Sequence, residues 1–173
     1  MTNEIYESWT LDLTSPEQSR DAIETEFAPT GDIRILTEES PEESDSVYIE
    51  DSLFGVHLPD WMDSISDLLK GESTMIEANV SDIKLTPKEE QNAVEVYVDL
   101  RGVPDDVRNY EPDLIEMEAF VQEVYRTGAS WAEEAKAINP EITDVDWYQD
   151  LETALADARE AMEDAGIPVE DSP

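Results

Sequence analysis

Cysteine is absent from this 173-residue chain, which removes disulfides and thiolate metal sites. Histidine occurs once, at His57 in "GVHLPD", so Ser/His chemistry has a single candidate base with Asp60 nearby in sequence. That segment reads as the end of a strand, where a lone histidine more simply faces solvent or bonds locally. Glycine is scarce, at six, and neither GxxxxGK nor GxGxxG occurs, so there is no phosphate loop. Lysine and arginine together number ten, and the lysines are only Lys70, Lys84, Lys88 and Lys136. So few bases cannot assemble the basic patch of an ordinary nucleic-acid-binding protein. No run approaches the roughly 18 apolar residues of a membrane span. "MTNEIYESW" has neither the basic start nor the apolar run of a signal peptide. The expected location is the interior of a cell, or a virion made inside one, with no membrane partner.

What abounds is carboxylate: 45 Asp and Glu, for a formal net charge of -35. Leu, Ile, Val and Phe make up 39 of the 173 residues. That fraction lies just above the roughly 20% below which high charge implies disorder. Four Trp and six Tyr add core material, so a fold is within reach of a lean core. The charge is spread along the chain: residues 1–60 net -14, residues 61–103 net -5 and residues 104–173 net -16. Such charge repels itself in dilute buffer. In molar salt the Debye length falls to roughly 3 Å and the repulsion is largely screened. The composition resembles that of cytoplasmic proteins from extreme halophiles, haloarchaea in particular, and of the viruses that infect them. A DNA mimic should instead concentrate its acid on one elongated face.

The patterning predicts an α+β fold. "WTLDL" alternates Trp9, Leu11 and Leu13 as a strand, and "SPEQ" opens a short helix with Ser15 as its cap and Gln18 completing a capping box. Ile33–Leu36 reads as a second strand. Thr37–Ser46 reads as an acidic, solvated loop, and Val47–Leu58 as a strand. Pro59 and Asp60 open a short helix that Gly71 closes. "STMIEANVSDIKL" reads as one strand with a bulge near Ser81–Asp82. It pairs with "AVEVYVDL" through a long loop, with Glu77, Glu95, Asp99, Lys84 and Lys88 on the wet face. A helix is predicted from Pro112 to a break at Gly128, then a short one from Ser130 to Asn139. A last one carries Trp147, Leu151, Ala154, Leu155, Ala158 and Met162 on one stripe and ends at Gly166. The division is a mostly antiparallel sheet region over 1–109, with an acidic arm over about 1–50, and a helical segment over 110–173 in the same domain. The arm is weakly patterned, which predicts that something beyond it pins it.

Motifs for chemistry fail on inspection. An EF-hand counted from Asp144 places Tyr148, Gln149 and Leu155 where an oxygen ligand, Gly and Glu are required. Asp144 and Asp146 fit better as acids at a helix start. With 45 acids, carboxylate pairs at glycosidase-like spacing arise by chance. Expected cofactors are none, beyond weakly held K, Na or divalent cations. The expected role is therefore a non-enzymatic structural or assembly protein of a haloarchaeon or its virus. The most specific form is a neck, tail-completion or connector subunit acting through homo- or hetero-oligomeric contacts. Trp9, Trp131 and Trp147 are the candidate interaction residues, each weighed against a core role. The alternatives are a DNA-mimicking inhibitor and a carboxylate- or cation-dependent enzyme.

Overall fold

The computed structural model describes residues 5–7, 9–27, 29–37, 47–77, 81–100 and 112–169. Ala78, Val80, most of the acidic Thr37–Ser46 loop and the "RGVPDDVRNY" connection lie outside those residues. In chain order the elements are β1 (Ile5–Tyr6), β2 (Trp9–Leu13), a 3-10 turn (Pro16–Ser19), α1 (Arg20–Glu24), β3 (Thr30–Thr37) and β4 (Val47–Leu53). Then come α2 (Phe54–Leu69), β5 (Thr74–Glu77), β6 (Ser81–Lys88), a 3-10 turn (Glu89–Gln91) and β7 (Ala93–Leu100). The chain continues through β8 (Asp113–Glu116), α3 (Met117–Ile138), a 3-10 turn (Pro140–Asp144) and α4 (Asp146–Asp164). The fold is α+β, as expected, but it carries two sheets. One has five strands in the order β1-β8-β7-β6-β5, the other three in the order β2-β3-β4. All pairings are antiparallel except β1 with β8.

The β6–β7 hairpin forms as its alternation predicts. Ile83, Leu85, Val94, Val96 and Val98 are buried on one face. On the other, Asp82 lies directly opposite Asp99, an unfavourable pairing of like charges. Lys84 reaches diagonally to Asp99 at 3.2 Å, and Lys88 reaches Glu95 at 3.7 Å. Both pairs are open to water and contribute about 0–1 kcal/mol each. The connection is tighter than expected, because β6 runs on to Lys88 and Asn92 turns the chain in the left-handed region at φ 51°.

Several expectations are corrected. The phase change after Ile76 marks a chain reversal: β5 and β6 are separate antiparallel strands with Ile76 opposite Ile83, where a single bulged strand was expected. The strand from Val47 stops at Leu53 and α2 begins at Phe54, so His57 sits on a helix. Phe54, Leu58, Trp61, Met62, Ile65 and Leu68 form one buried stripe at helical spacing. That stripe carries the helix past Pro59, so Pro59 does not start it. Asp113–Glu116 is a strand between β1 and β7. Leu114 and Ile115 are both buried there, a two-residue run that periodicity cannot tell from a helix. Finally, α3 runs unbroken through Gly128. A Cβ there would meet Met62 Cε at 2.5 Å, so this glycine marks close approach of α2 rather than a stop. The Ser15 cap also does not form through its side chain.

Two helix C-termini, at Gly71 and Gly166, behave as read. After α4, Gly166 at φ 74° lets Ile167 N–H donate to Met162 O and Gly166 N–H to Glu163 O, a Schellman stop. Gly71 closes α2 in the same way. A single buried cluster joins residues from Trp9 to Met162, so the N-terminal arm belongs to the common core.

Gly31 is a packing glycine. Beside it Thr14 N–H donates to Asp32 O at 3.0 Å, and Asp32 N–H donates to Thr14 Oγ1 at 2.8 Å. An added Cβ would lie 2.7 Å from Thr14 Cβ and 2.8 Å from the Phe54 ring. Gly31→Ala should therefore destabilise by about 1–3 kcal/mol, read as a lower urea midpoint in high salt.

Candidate functional site

The three tryptophans named from the sequence act together inside the chain. Trp9 Nε1 donates to Ala119 O on α3 at 3.2 Å. Trp131 Nε1 donates to Thr14 O at 3.2 Å, and Trp147 Nε1 donates to Glu26 O at 3.2 Å. Three further bonds join them. Leu11 N–H donates to Glu123 Oε2 at 2.9 Å, Thr127 Oγ1 donates to Leu11 O at 3.4 Å, and Asn139 Nδ2 donates to Ile23 O at 3.0 Å. Leu11 faces Ile35 across the β2–β3 pair, and its other edge is closed by these α3 side chains. An edge that would otherwise template pairing is thereby covered.

The rings continue the same seam. Trp9 stacks on Phe120 with centroids 4.8 Å apart and planes 3° from parallel. Phe54, Trp131 and Trp147 meet edge to face in sequence, at 5.6 and 6.2 Å, and Trp147 meets Tyr148 at 5.8 Å. Trp9 and Trp131 are 7% and 4% exposed, and Trp147 is partly buried. Tyr148 donates its hydroxyl to Ala132 O at 3.0 Å. Burial first, then Glu152 and Glu133, push its phenol up to about 12, so it stays a donor.

A heavily charged concavity lies between α2 and α4, as two adjoining hollows of about 550 and 470 Å³. Asp63 and Asp157 line both. Asp60 and Asp150 stand at one end, and Asp67, Glu160, Asp164 and Lys70 at the other. Partial desolvation raises the Asp63 carboxyl above its ordinary value, and Asp60, Asp157 and Asp67 raise it further. Asp60 is raised chiefly by desolvation, against a lowering influence from His57 and a raising one from Glu77. His57 is buried, and burial lowers its imidazole while Asp60 opposes that shift.

His57 and Asp60 are thus close enough to interact, which the sequence could suggest only from their spacing. Ser64 offers His57 no nucleophile, because it is fully buried and its hydroxyl donates to Trp61 O. Among the described residues, no three carboxylates or histidines are grouped to hold a metal ion. Asp144 ends a 3-10 turn and Asp146 lies in the first turn of α4, where the helix dipole favours it. The groove can therefore concentrate cations loosely along its carboxylates. Its acid rows were legible as residues at helical spacing on α2 and on α4. That the two helices face each other was not. Compared with protein-family models, curated proteins and solved structures, the chain has no match in any of the three.

Two outcomes test these arrangements. Trp131→Phe keeps the ring contacts but leaves Thr14 O without its donor, and should lose about 1–3 kcal/mol of unfolding free energy. Asp63→Asn should stabilise at neutral pH, more so in low salt. The raised folded-state value means the native carboxyl favours folding when protonated and loses that contribution as pH rises. The advantage of Asn should therefore vanish as pH falls below the ordinary aspartate value of 3.8, in thermal melts across pH.

Proposed function

We propose that the chain is a non-enzymatic structural or assembly protein of a haloarchaeon or a haloarchaeal virus, acting through protein contacts in concentrated salt. One observation carries the reading: among the described residues, exposed carboxylates lie on every helix and on both sheets. α1 shows Asp21 and Glu24, α2 Asp63, α3 Glu118, Glu133 and Glu134, and α4 Asp146, Asp150, Glu152, Asp157, Glu160 and Glu163. β2 shows Asp12 and β5 Glu77. Such a shell hydrates the whole surface and folds only when its self-repulsion is screened. The specific form we favour is a small virion component such as a neck, tail-completion or connector subunit, working inside a high-salt cell and then in the particle. Its support is the size of the chain and the common core that holds its N-terminal arm. The facing acid rows of α2 and α4 favour a second reading, a DNA-mimicking inhibitor. The acid on the other helices and on both sheets weighs against it.

Circular dichroism separates the two. The first reading expects cooperative folding in about 2 M KCl and loss of structure below a few hundred millimolar. A chain equally folded at about 10 mM salt, where the Debye length is roughly 30 Å, would sink it and promote the mimic. Light scattering or native mass measurement in high salt then tests assembly, and a particle that stays monomeric with every partner tried counts against it.

A further inference from the structure

Two large apolar side chains stand out in the open among the described residues, Phe27 at 71% exposure and Met75 at 44%. Phe27 is the more informative because its position is fixed. α1 ends in the same hydrogen-bonded stop as α4: Glu26 N–H donates to Ile23 O and Phe27 N–H to Ala22 O at 2.9 Å. In that stop the residue after the left-handed position ordinarily packs back on the structure. Ile167 does so after α4 and lies against the core. Phe27, in the equivalent place, projects outward. The left-handed position before it is occupied by Glu26 at φ 67°, a conformation L side chains resist. The Trp147 indole locks that turn by donating to Glu26 O. A strained, clamped turn therefore presents an aromatic knob.

The surroundings define what fits it. Asp21, Glu24 and Glu26 flank Phe27 on its own segment, and Trp147 brings the α4 end with Asp146 and Asp150; all five acids are exposed. Arg20, the base on α1, is already paired with Glu17 at 2.6 Å and Glu24 at 3.2 Å. A single knob is taken up by the hole between four side chains of a helix. An acidic collar disfavours acids around that hole and accepts bases, because like charges set against each other across an interface reject the wrong partner. We propose that Phe27, with the edge of Trp147, is the docking point for a partner protein's amphipathic helix whose apolar stripe is bordered by lysine or arginine. This rests on the reading that the chain works through protein contacts. A second copy does not supply such a helix from its described residues, since the outer faces of α3 and α4 are acidic.

The test uses the full chain in about 2 M KCl, where the collar's long-range field is screened. Two labelled helical peptides of about 14 residues, roughly four turns, serve as probes. One has a leucine stripe edged by lysines; the other has serines in place of the leucines. Fluorescence anisotropy should show the leucine peptide binding, and Phe27→Ser should weaken it at least about tenfold, as losing an aromatic anchor does. The serine peptide should bind more weakly and ignore the substitution. An unchanged circular dichroism melt confirms that Phe27→Ser still folds. No binding of the leucine peptide, or binding that Phe27→Ser leaves unchanged, overturns the proposal. If the chain still joins a larger complex, the assembly reading survives that failure. Concentration-dependent dimers that Phe27→Ser abolishes also overturn it, in favour of self-association.

Discussion

The hold of α3, its C-terminal cap and the start of α4 on the first 30 residues is the constraint on which the rest of the structure depends. Trp9, Glu123, Thr127, Trp131, Asn139 and Trp147 make hydrogen bonds across sequence separations of at least 110 residues. All but one of these pair neutral groups, a donor on one side and a carbonyl on the other. That matters in a chain of net charge -35. Surface ion pairs lose strength as salt screens them, and among the described residues the pairs of Arg20, Lys84, Lys88 and Arg159 each have a water-exposed base. A bond between a neutral indole N–H and a carbonyl is far less sensitive to ionic strength than an ion pair. The bonds that dock the acidic arm therefore depend little on ionic strength.

The same contacts change the meaning of the tryptophans. As letters, Trp9, Trp131 and Trp147 fit either a core or a partner surface. In the fold, each ring packs among aromatics and each nitrogen finds a backbone acceptor, the two demands a buried indole makes. Trp61 meets only the first: it is fully buried beside Phe120 and its nitrogen lacks a hydrogen-bond partner. It belongs to the α2 stripe and takes no part in docking the arm.

Elements with strong periodicity over many residues were legible in the sequence. The β6–β7 hairpin and the stripe and stop of α4 are clear in the letters, because alternation and the 3.6-residue period are local properties. What escaped depended on distant partners. Gly128 looks like a helix breaker until Met62 is placed against it. Leu114 and Ile115 look helical until β1 and β7 flank them. Phe54 reads as strand until its register with Leu58, Trp61 and Met62 is set against the core. The candidate site divides in the same way: the acids of α2 and α4 are visible as stripes, whereas their confrontation is a tertiary fact.

That confrontation follows from how α4 packs. Ala154 and Ala161 lie at the base of the groove, and residues this small let α4 come close to α2. Closeness seals the apolar seam of Met62, Ile65, Leu151, Ala158 and Met162, all buried. It also brings Asp63 within the influence of Asp157, so that the carboxyl's ionised form is disfavoured. Larger residues in place of the alanines would separate the carboxylates and open the core. Smaller acid rows would relieve the strain but leave the exposed faces less hydrated. A lean core and a dense carboxylate shell are therefore linked through one helix pair. Added salt would screen the repulsion between the two rows without touching the apolar seam beneath them.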